Sequence, residues 1–509
     1  LGATISGLLL TAGLLAARDW PLFGGDLQRD GWAKEEHWLS RQTARNIKLE
    51  WKVKLGNVSR ELNSLTAPIV AERLLTPRGF KDVVFVAGSS NTVYAVDVDN
   101  GELIWQRTLN HLPASATANF LCPNSLNATP IIDPARMEHT DLYVLTGDGD
   151  LHLLNAVNGE DRTPAQPFVP PNAKAWSLGM FHGNVYTTVS QGCGGAKSGI
   201  YSLRLDGTRN AARMISTNGG IWGRAGAAMS PDGVLYAETG DGQWDPKTGN
   251  YADSFIAVSS EDLSVLDYYT PVNHEWITHK DLDMGAVSPV WFQYGNRSFV
   301  AGGGKEGVLF LLDAKSLGGP DHQTPLFRSP KYANAELNLA GRGFWGAFAS
   351  WQDPAGARWL YAPVYGPQAP GSPVFPITDG PATGGSIMAF RVEGSGSNVT
   401  LTAAWRSRGL TVPEPPVVAN GLVFVLSSGE DTQSIHSSGR IMTSQERISG
   451  AVGNAVLYAF DSSSGKELFS SQKLISGFSH FSGLAVDGGH IYVVTYENVL
   501  YSFGLGTEQ

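Results

Sequence analysis

The chain has 509 residues, with 60 Gly and 28 Pro set against 37 Lys plus Arg and 47 Asp plus Glu, for a formal charge of −10. Glycine and proline in that abundance favour many short strands and tight turns over long helices. An acidic body is not drawn to nucleic acid or to an anionic membrane surface, so no nucleic-acid partner is expected.

In chain order, residues 1–18 form an apolar leader-like segment, "LGATISGLLLTAGLLAAR", uncharged until its last residue. It resembles the apolar and cleavage regions of a secretory signal and is too short for an ordinary membrane span. The expected location is the periplasm or the exterior, with attachment to a membrane through the N-terminus left open. Residues 19–509 read as a single domain. The stretch "IKLEWKVKL" (47–55) is a strand without a partner of its own. After it a two-part phrase recurs: a short strand closed by a turn, such as "APIVAERLL" or "GLAVDGG", then a hairpin such as "VVFVAGSSNTVYAVD" (83–97) or "IYVVTYENVLYSFG" (491–504). Aligned on Tyr94, His152, Tyr201, Ile256, Phe310, Met388, Tyr458 and Tyr501, the eight copies lie 58, 49, 55, 54, 78, 70 and 43 residues apart. Intervals of this size suit one four-stranded propeller blade each, and the longest ones absorb insertions rich in Gly, Pro and Ser.

A four-stranded sheet cannot bury both faces alone, so neighbouring copies must stack, and a closed ring removes the exposed ends. The last copy lacks an outer strand, which "IKLEWKVKL" supplies. The expected fold is therefore all-β: an eight-bladed, W-shaped β-propeller whose N-terminal strand closes the last blade. Exact boundaries within the insertions at 314–345, 366–385 and 428–454 are not legible.

Only two cysteines occur, Cys122 and Cys193. They suit either a structural disulfide of an exported protein or two unrelated buried thiols. There is no CxxC, and no CxxCH for covalent haem. Neither "GAKSG" nor "GGGKEG" has P-loop spacing, His274 and His279 lack the pattern of a zinc site, and no Gly-x-Ser-x-Gly elbow is present. The sharper signal is "HKDLDMGAVSPVW" (279–291). In an extended chain Asp281 and Asp283 would face one side about 6.5 Å apart, close enough to share a cation. Solvated loop acids are the alternative.

The outer turns "AVDVDNGELIW" (95–105) and "AFDSSSGKELF" (459–469) resemble the Ala-x-Asp-x-x-x-Gly-x-x-x-Trp docking repeat of quinoprotein alcohol dehydrogenases, with Phe469 at the second Trp position. The opening "DWPLFGGDLQRDGW" (19–32) is similar to their N-terminal lead-in. The resemblance spans most of residues 19 to 504. It implies pyrroloquinoline quinone (PQQ) on a Trp floor beside Ca²⁺ or a lanthanide, and an Asp base that assists hydride transfer from an alcohol or sugar. A separate electron-accepting protein would follow. By this resemblance Trp222 falls at the floor, and Asp241 takes the place of a metal-binding Asn. Asp281 stands at the catalytic base, with Asp283 as the further carboxylate of lanthanide users. Asp241, Asp281 and Asp283 would then ligate the metal, and Lys305 and Trp345 would contact the cofactor.

The sequence departs from the family pattern in three places. The segment expected to bring a metal-binding Glu reads "VSQGCGGAKSG" (189–199), with Lys197 and no acid; the adjacent-Cys ring is missing; and an expected Asn-Trp is Phe344-Trp345. Similar repeats also build non-catalytic propellers that act as assembly scaffolds, so a domain binding protein or polysaccharide through its rim is the competing expectation.

Overall fold

The computed structural model describes residues 19–110, 117–133, 141–205 and 212–506. The leader-like segment 1–18 lies outside the described residues. Eight antiparallel sheets, each of at least four strands, succeed one another along the chain in sequence order. The first runs Ile69–Thr76, Gly79–Gly88, Thr92–Asp97 and Leu103–Thr108, each strand paired with the next. The eighth is Leu484–Asp487, His490–Val494 and Val499–Gly504, completed by Lys48–Lys54. Lys48 pairs with Gly504 and Lys54 with Val499, so the N-terminal strand closes the ring as expected. The only α-helices among the described residues are the six-residue segments His274–His279 and Ser444–Ser449.

The insertions resolve into additions on this plan. Residues 314–345 include Phe327–Arg328, the outer strand of blade 5. Ile377–Thr378, within 366–385, adds in parallel to the outer strand Thr400–Arg406 of blade 6. The 428–454 insertion of blade 7 carries the helix Ser444–Ser449, capped at Thr443 and Glu446.

Blades dock through aromatic side chains seated on the next blade's turn. Trp51 donates its indole N–H to Val98 O (2.7 Å), Trp105 to Ala156 O (2.9 Å) and Trp405 to Ser462 O (2.8 Å). Under each ring lies a glycine with positive φ: Gly101, Gly159 and Gly465, where a Cβ would come within 2.7, 2.7 and 2.4 Å of the indole. The glycine and the tryptophan of one repeat thus meet partners on opposite neighbours. Phe469, with no N–H to donate, packs instead against Phe503 of blade 8, ring centroids 6.2 Å apart.

The lead-in 19–32 winds around the ring's interior, bonding the inner strands in order. Trp20 exchanges hydrogen bonds with Val70 of blade 1, and Ile132 of blade 2 donates to Pro21 O. Met229 of blade 4 donates to Leu27 O, Trp291 of blade 5 to Gln28 O, Ser350 of blade 6 to Asp30 O, and Val418 of blade 7 to Gly31 O. Buried Arg29 adds blade 3 by donating to Leu178 O at 2.8 Å. This spiral satisfies inner-edge backbone groups that would otherwise face the channel unpaired.

Candidate functional site

A cavity of 320 Å³ is lined by residues from the approach to blade 2 (Phe120, Leu121) round to the approach to blade 8 (His480, Phe481), which places it over the propeller axis. Trp222, Asp241, Asp281, Asp283, Lys305 and Trp345 all line it.

Close backbone approach brings them together. A Cβ on Gly285 would lie 2.4 Å from Gly220 O and 2.6 Å from Gly240 N, so only glycine lets these three segments touch. Trp222 N donates to Gly285 O (3.1 Å), Gly240 N to Gly220 O (2.8 Å), and Lys305 N to Asp283 O (3.1 Å). The segments Val287–Ser288 and Gly346–Ala347 pair in parallel and draw Trp345 alongside.

The stretch around Asp281 is not the extended chain expected from the spacing of its acids. It is the C-terminus of the helix His274–His279: Leu282 N donates to Ile277 O (3.1 Å) and Asp281 N to Thr278 O (3.2 Å). These are the two bonds of a Schellman motif, and Asp281 occupies its left-handed position, φ 54°, where glycine is usual. Leu282 and Ile277 are both buried, supplying the motif's apolar contact. Leu282 therefore turns inward while the flanking carboxylates turn to the cavity. Asp253, which sequence reasoning missed, fixes the turn from below by accepting from Thr278 Oγ1 (2.5 Å) and Met284 N (3.3 Å).

Lys305 joins the two acids. Its Nζ lies 3.0 Å from Asp281 Oδ1 and 2.5 Å from Asp283 Oδ2, and also donates to Asp281 O at 3.3 Å. The remaining oxygen of Asp283 accepts from Asp241 N (3.0 Å). Lys305 and Asp283 are both buried, whereas the Asp281 side chain is 49% exposed. Burial alone would raise the Asp283 carboxyl, but the Lys305 charge and hydrogen bond hold it below the usual value. Asp281 is raised, by burial first, because the more distant ammonium only partly offsets that and the Asp283 charge opposes ionisation. Asp241 opens to solvent through the cavity, yet desolvation by the walls and the charges of Asp283 and Asp281 raise it to about 6. Trp222 and Trp345 meet edge to face at 5.2 Å with Lys305 beside both rings, 5.1 and 5.5 Å from their centroids.

Among the described residues, no group of three His, Cys, Asp or Glu side chains is placed to hold a metal ion. Of the acids expected to share a cation, Asp281 and Asp283 are bridged by Lys305 and Asp241 is joined to Asp283 through its backbone N–H, so the donor set does not fit a metal cage. Phe344 is buried in the core between blades 5 and 6 rather than in the cavity. Lys197, in the segment where a metal-binding Glu was expected, is exposed and does not line the cavity; Gln191 of the same segment does. Cys122 and Cys193 form a disulfide, Cα–Cα 5.4 Å, tying the Phe120–Leu121 wall to that segment.

Several lining residues carried no sequence signal. Trp176 comes from blade 3, Arg447 from the blade 7 insertion, and His480 and Phe481 precede blade 8. Glu430 holds both Arg447 (2.6 Å) and His480 Nδ1 (2.7 Å). Below them, buried Arg224 pairs with Glu414, donates to Tyr365 Oη (2.6 Å) and lies 3.6 Å from the Phe481 ring centroid. Tyr365 stacks in turn on Trp345.

The family model described as outer membrane protein assembly factor BamB matches residues 37–183. No curated protein matches by sequence. Similar solved structures include the quinohemoprotein alcohol dehydrogenase of Comamonas testosteroni, at 14% identity over 97% of this chain and 82% of that one, with a TM-score of 0.61. A quinohemoprotein alcohol dehydrogenase of Pseudomonas putida HK5 is alike at 14% identity, 97% and 81% coverage and a TM-score of 0.61. A europium-containing methanol dehydrogenase aligns at 12% identity over 96% of this chain and 98% of that one, with a TM-score of 0.63. At these identities the likeness establishes a shared fold alone.

Proposed function

We propose that the chain is a dehydrogenase that binds PQQ in the axial cavity and oxidises an alcohol or sugar there. The observation that supports this most is the convergence of Trp222, Asp241, Asp281, Asp283, Lys305 and Trp345 on one cavity, although they come from five stretches of sequence. The residues suit a planar anionic aromatic ligand: Trp222 and Trp345 offer ring faces and edges, and Lys305 a buried ammonium between them. When bound, PQQ supplies a two-electron hydride acceptor. Asp281 is the base, since its half-exposed carboxylate with a raised pKa can take the proton of a substrate hydroxyl. Lys305 orients Asp281 and offsets the buried Asp283 charge, which leaves Asp281 the accessible acid of the pair. A separate protein is the proposed acceptor of the electrons.

The match of residues 37–183 to an assembly-factor model favours a second reading, a scaffold that engages a partner through its rim. Incubation with PQQ, with and without Ca²⁺ or a lanthanide, separates the two. Stoichiometric quinone absorbance retained after desalting, with alcohol-dependent dye reduction, supports the dehydrogenase. No retained quinone under any condition supports the scaffold.

A further inference from the structure

Among the described residues, the cavity contains one cation with no counter-charge. Lys305 is matched by Asp281 and Asp283, and Arg447 by Glu430. Lys174, on the inner strand Lys174–Ala175 of blade 3, has no ion-pair partner among the described residues. Its Nζ reaches only the Phe120 carbonyl, at 3.4 Å, and lies 5.3 Å from the Trp176 ring centroid. Desolvation and the neighbouring Arg447 charge hold its ammonium down to about 7. Lys174 and Arg447 both line the cavity, and an anion entering beside Lys174 would offset the like charge of Arg447 while replacing the water Lys174 has lost.

We propose that Lys174 anchors a carboxylate of the ligand that fills the axial cavity, so that this ligand is an aromatic acid. The segment carrying Lys174 matched none of the residues that suggested a cofactor site. The aromatic frame comes from Trp176, whose ring lies 5.3 Å from the ammonium, and from Phe120, whose ring lies 4.7 Å from the Arg447 guanidinium. The inference rests on the cavity being a ligand site, as proposed above, and not on the ligand being a quinone.

The test uses three probes, PQQ, its trimethyl ester and benzene-1,3,5-tricarboxylate, titrated by calorimetry into the wild-type chain, Lys174→Met and Lys174→Arg. Removing one charge-assisted hydrogen bond is expected to weaken PQQ about 10- to 100-fold in Lys174→Met. Lys174→Arg should recover most of that loss. The wild type should prefer acid to ester by a similar factor, and Lys174→Met should lose most of this preference. Thermal unfolding checks folding, and Lys174→Met should melt no lower than wild type, because a half-buried ammonium with no acid partner among the described residues has been removed. Equal PQQ affinity in Lys174→Met and wild type, or a full acid preference persisting without Lys174, overturns the anchor while leaving the dehydrogenase reading intact. If PQQ fails to bind but the tricarboxylate binds in a Lys174-dependent way, the anchor stands and the quinone reading falls. If no probe binds the wild type, the anchor is overturned.

Discussion

Replacing Lys305 by Met removes the ammonium between two acids and strands one of them. Asp283 is 5% exposed and would keep only the hydrogen bond from Asp241 N. Breaking one side of a buried pair costs about 3–5 kcal/mol. With an unfolding entropy of about 2 cal/mol/K per residue, a chain of this length should lose roughly 3–5 °C in Tm. The pH dependence is more diagnostic than the size. In the wild type Lys305 outweighs burial and depresses Asp283, so its contribution to stability is present above the ordinary carboxylate range and lost as pH falls through its lowered pKa. In Lys305→Met burial acts unopposed and raises the carboxyl, so the penalty is largest near neutrality and fades as Asp283 protonates. Scanning calorimetry from pH 8 to pH 4 should show the wild-type advantage shrinking with acidity. Lys305→Met combined with Asp283→Asn should recover much of the loss at pH 7.5. An unchanged Tm at pH 7.5, or a deficit constant with pH, refutes the buried-pair reasoning.

Asp281→Gly places the usual residue at the left-handed position of the Schellman turn, so it should hold or raise Tm by up to about 1 kcal/mol equivalent while slowing alcohol oxidation by roughly 10²-fold or more; a large loss of Tm would contradict the turn assignment. Gly465→Ala drives a Cβ to 2.4 Å from Trp405 at φ 68° and should cost about 2–4 kcal/mol, whereas Gly439→Ala, at φ 82° with open space, should cost about 1 kcal/mol; equal Tm losses would remove the docking argument. Because the empty-state Lys174 ammonium sits at about 7 and an anion favours its charged form, aromatic-acid affinity should fall as pH rises from 7 to 9, up to about tenfold per unit. Arg447 is the charge nearest Lys174, and His480 and Glu430 lie beyond it, with His480 held down to about 4 by burial and so uncharged across that range. An affinity flat with pH, measured by calorimetry, would contradict the titration of Lys174.

Much of the fold was legible because each blade repeats one pattern: eight inner strands and hairpins, and the outer-turn glycines Gly101 and Gly465. The unpartnered "IKLEWKVKL" pointed to ring closure, and Lys48–Lys54 pairs with Val499–Gly504. The destination of each docking Trp was not legible, since Trp105 seats on Gly159 of the next blade and nothing local names that partner. The site was half legible. Residues standing in recurring motifs, such as Trp222 and Lys305, were found through resemblance and do line one cavity. The backbone at Asp281 was mistaken for extended chain because a left-handed Asp in a helix C-terminus leaves no glycine to mark it. Lys174 was silent for a deeper reason: its character lies in the lack of a neighbouring acid, a fact of tertiary structure. Arg447 sits in an insertion whose composition reads only as loop.

The central claim is that the axial cavity binds a quinone on which Asp281 assists oxidation. Its most direct test is the absorbance of retained quinone and alcohol-dependent turnover, measured in the same desalted preparation of the wild type and Asp281→Asn. The account predicts about one quinone per chain in both, with turnover in the variant reduced roughly 10²-fold or more. No retained quinone in the wild type, or equal turnover in the two, would contradict it.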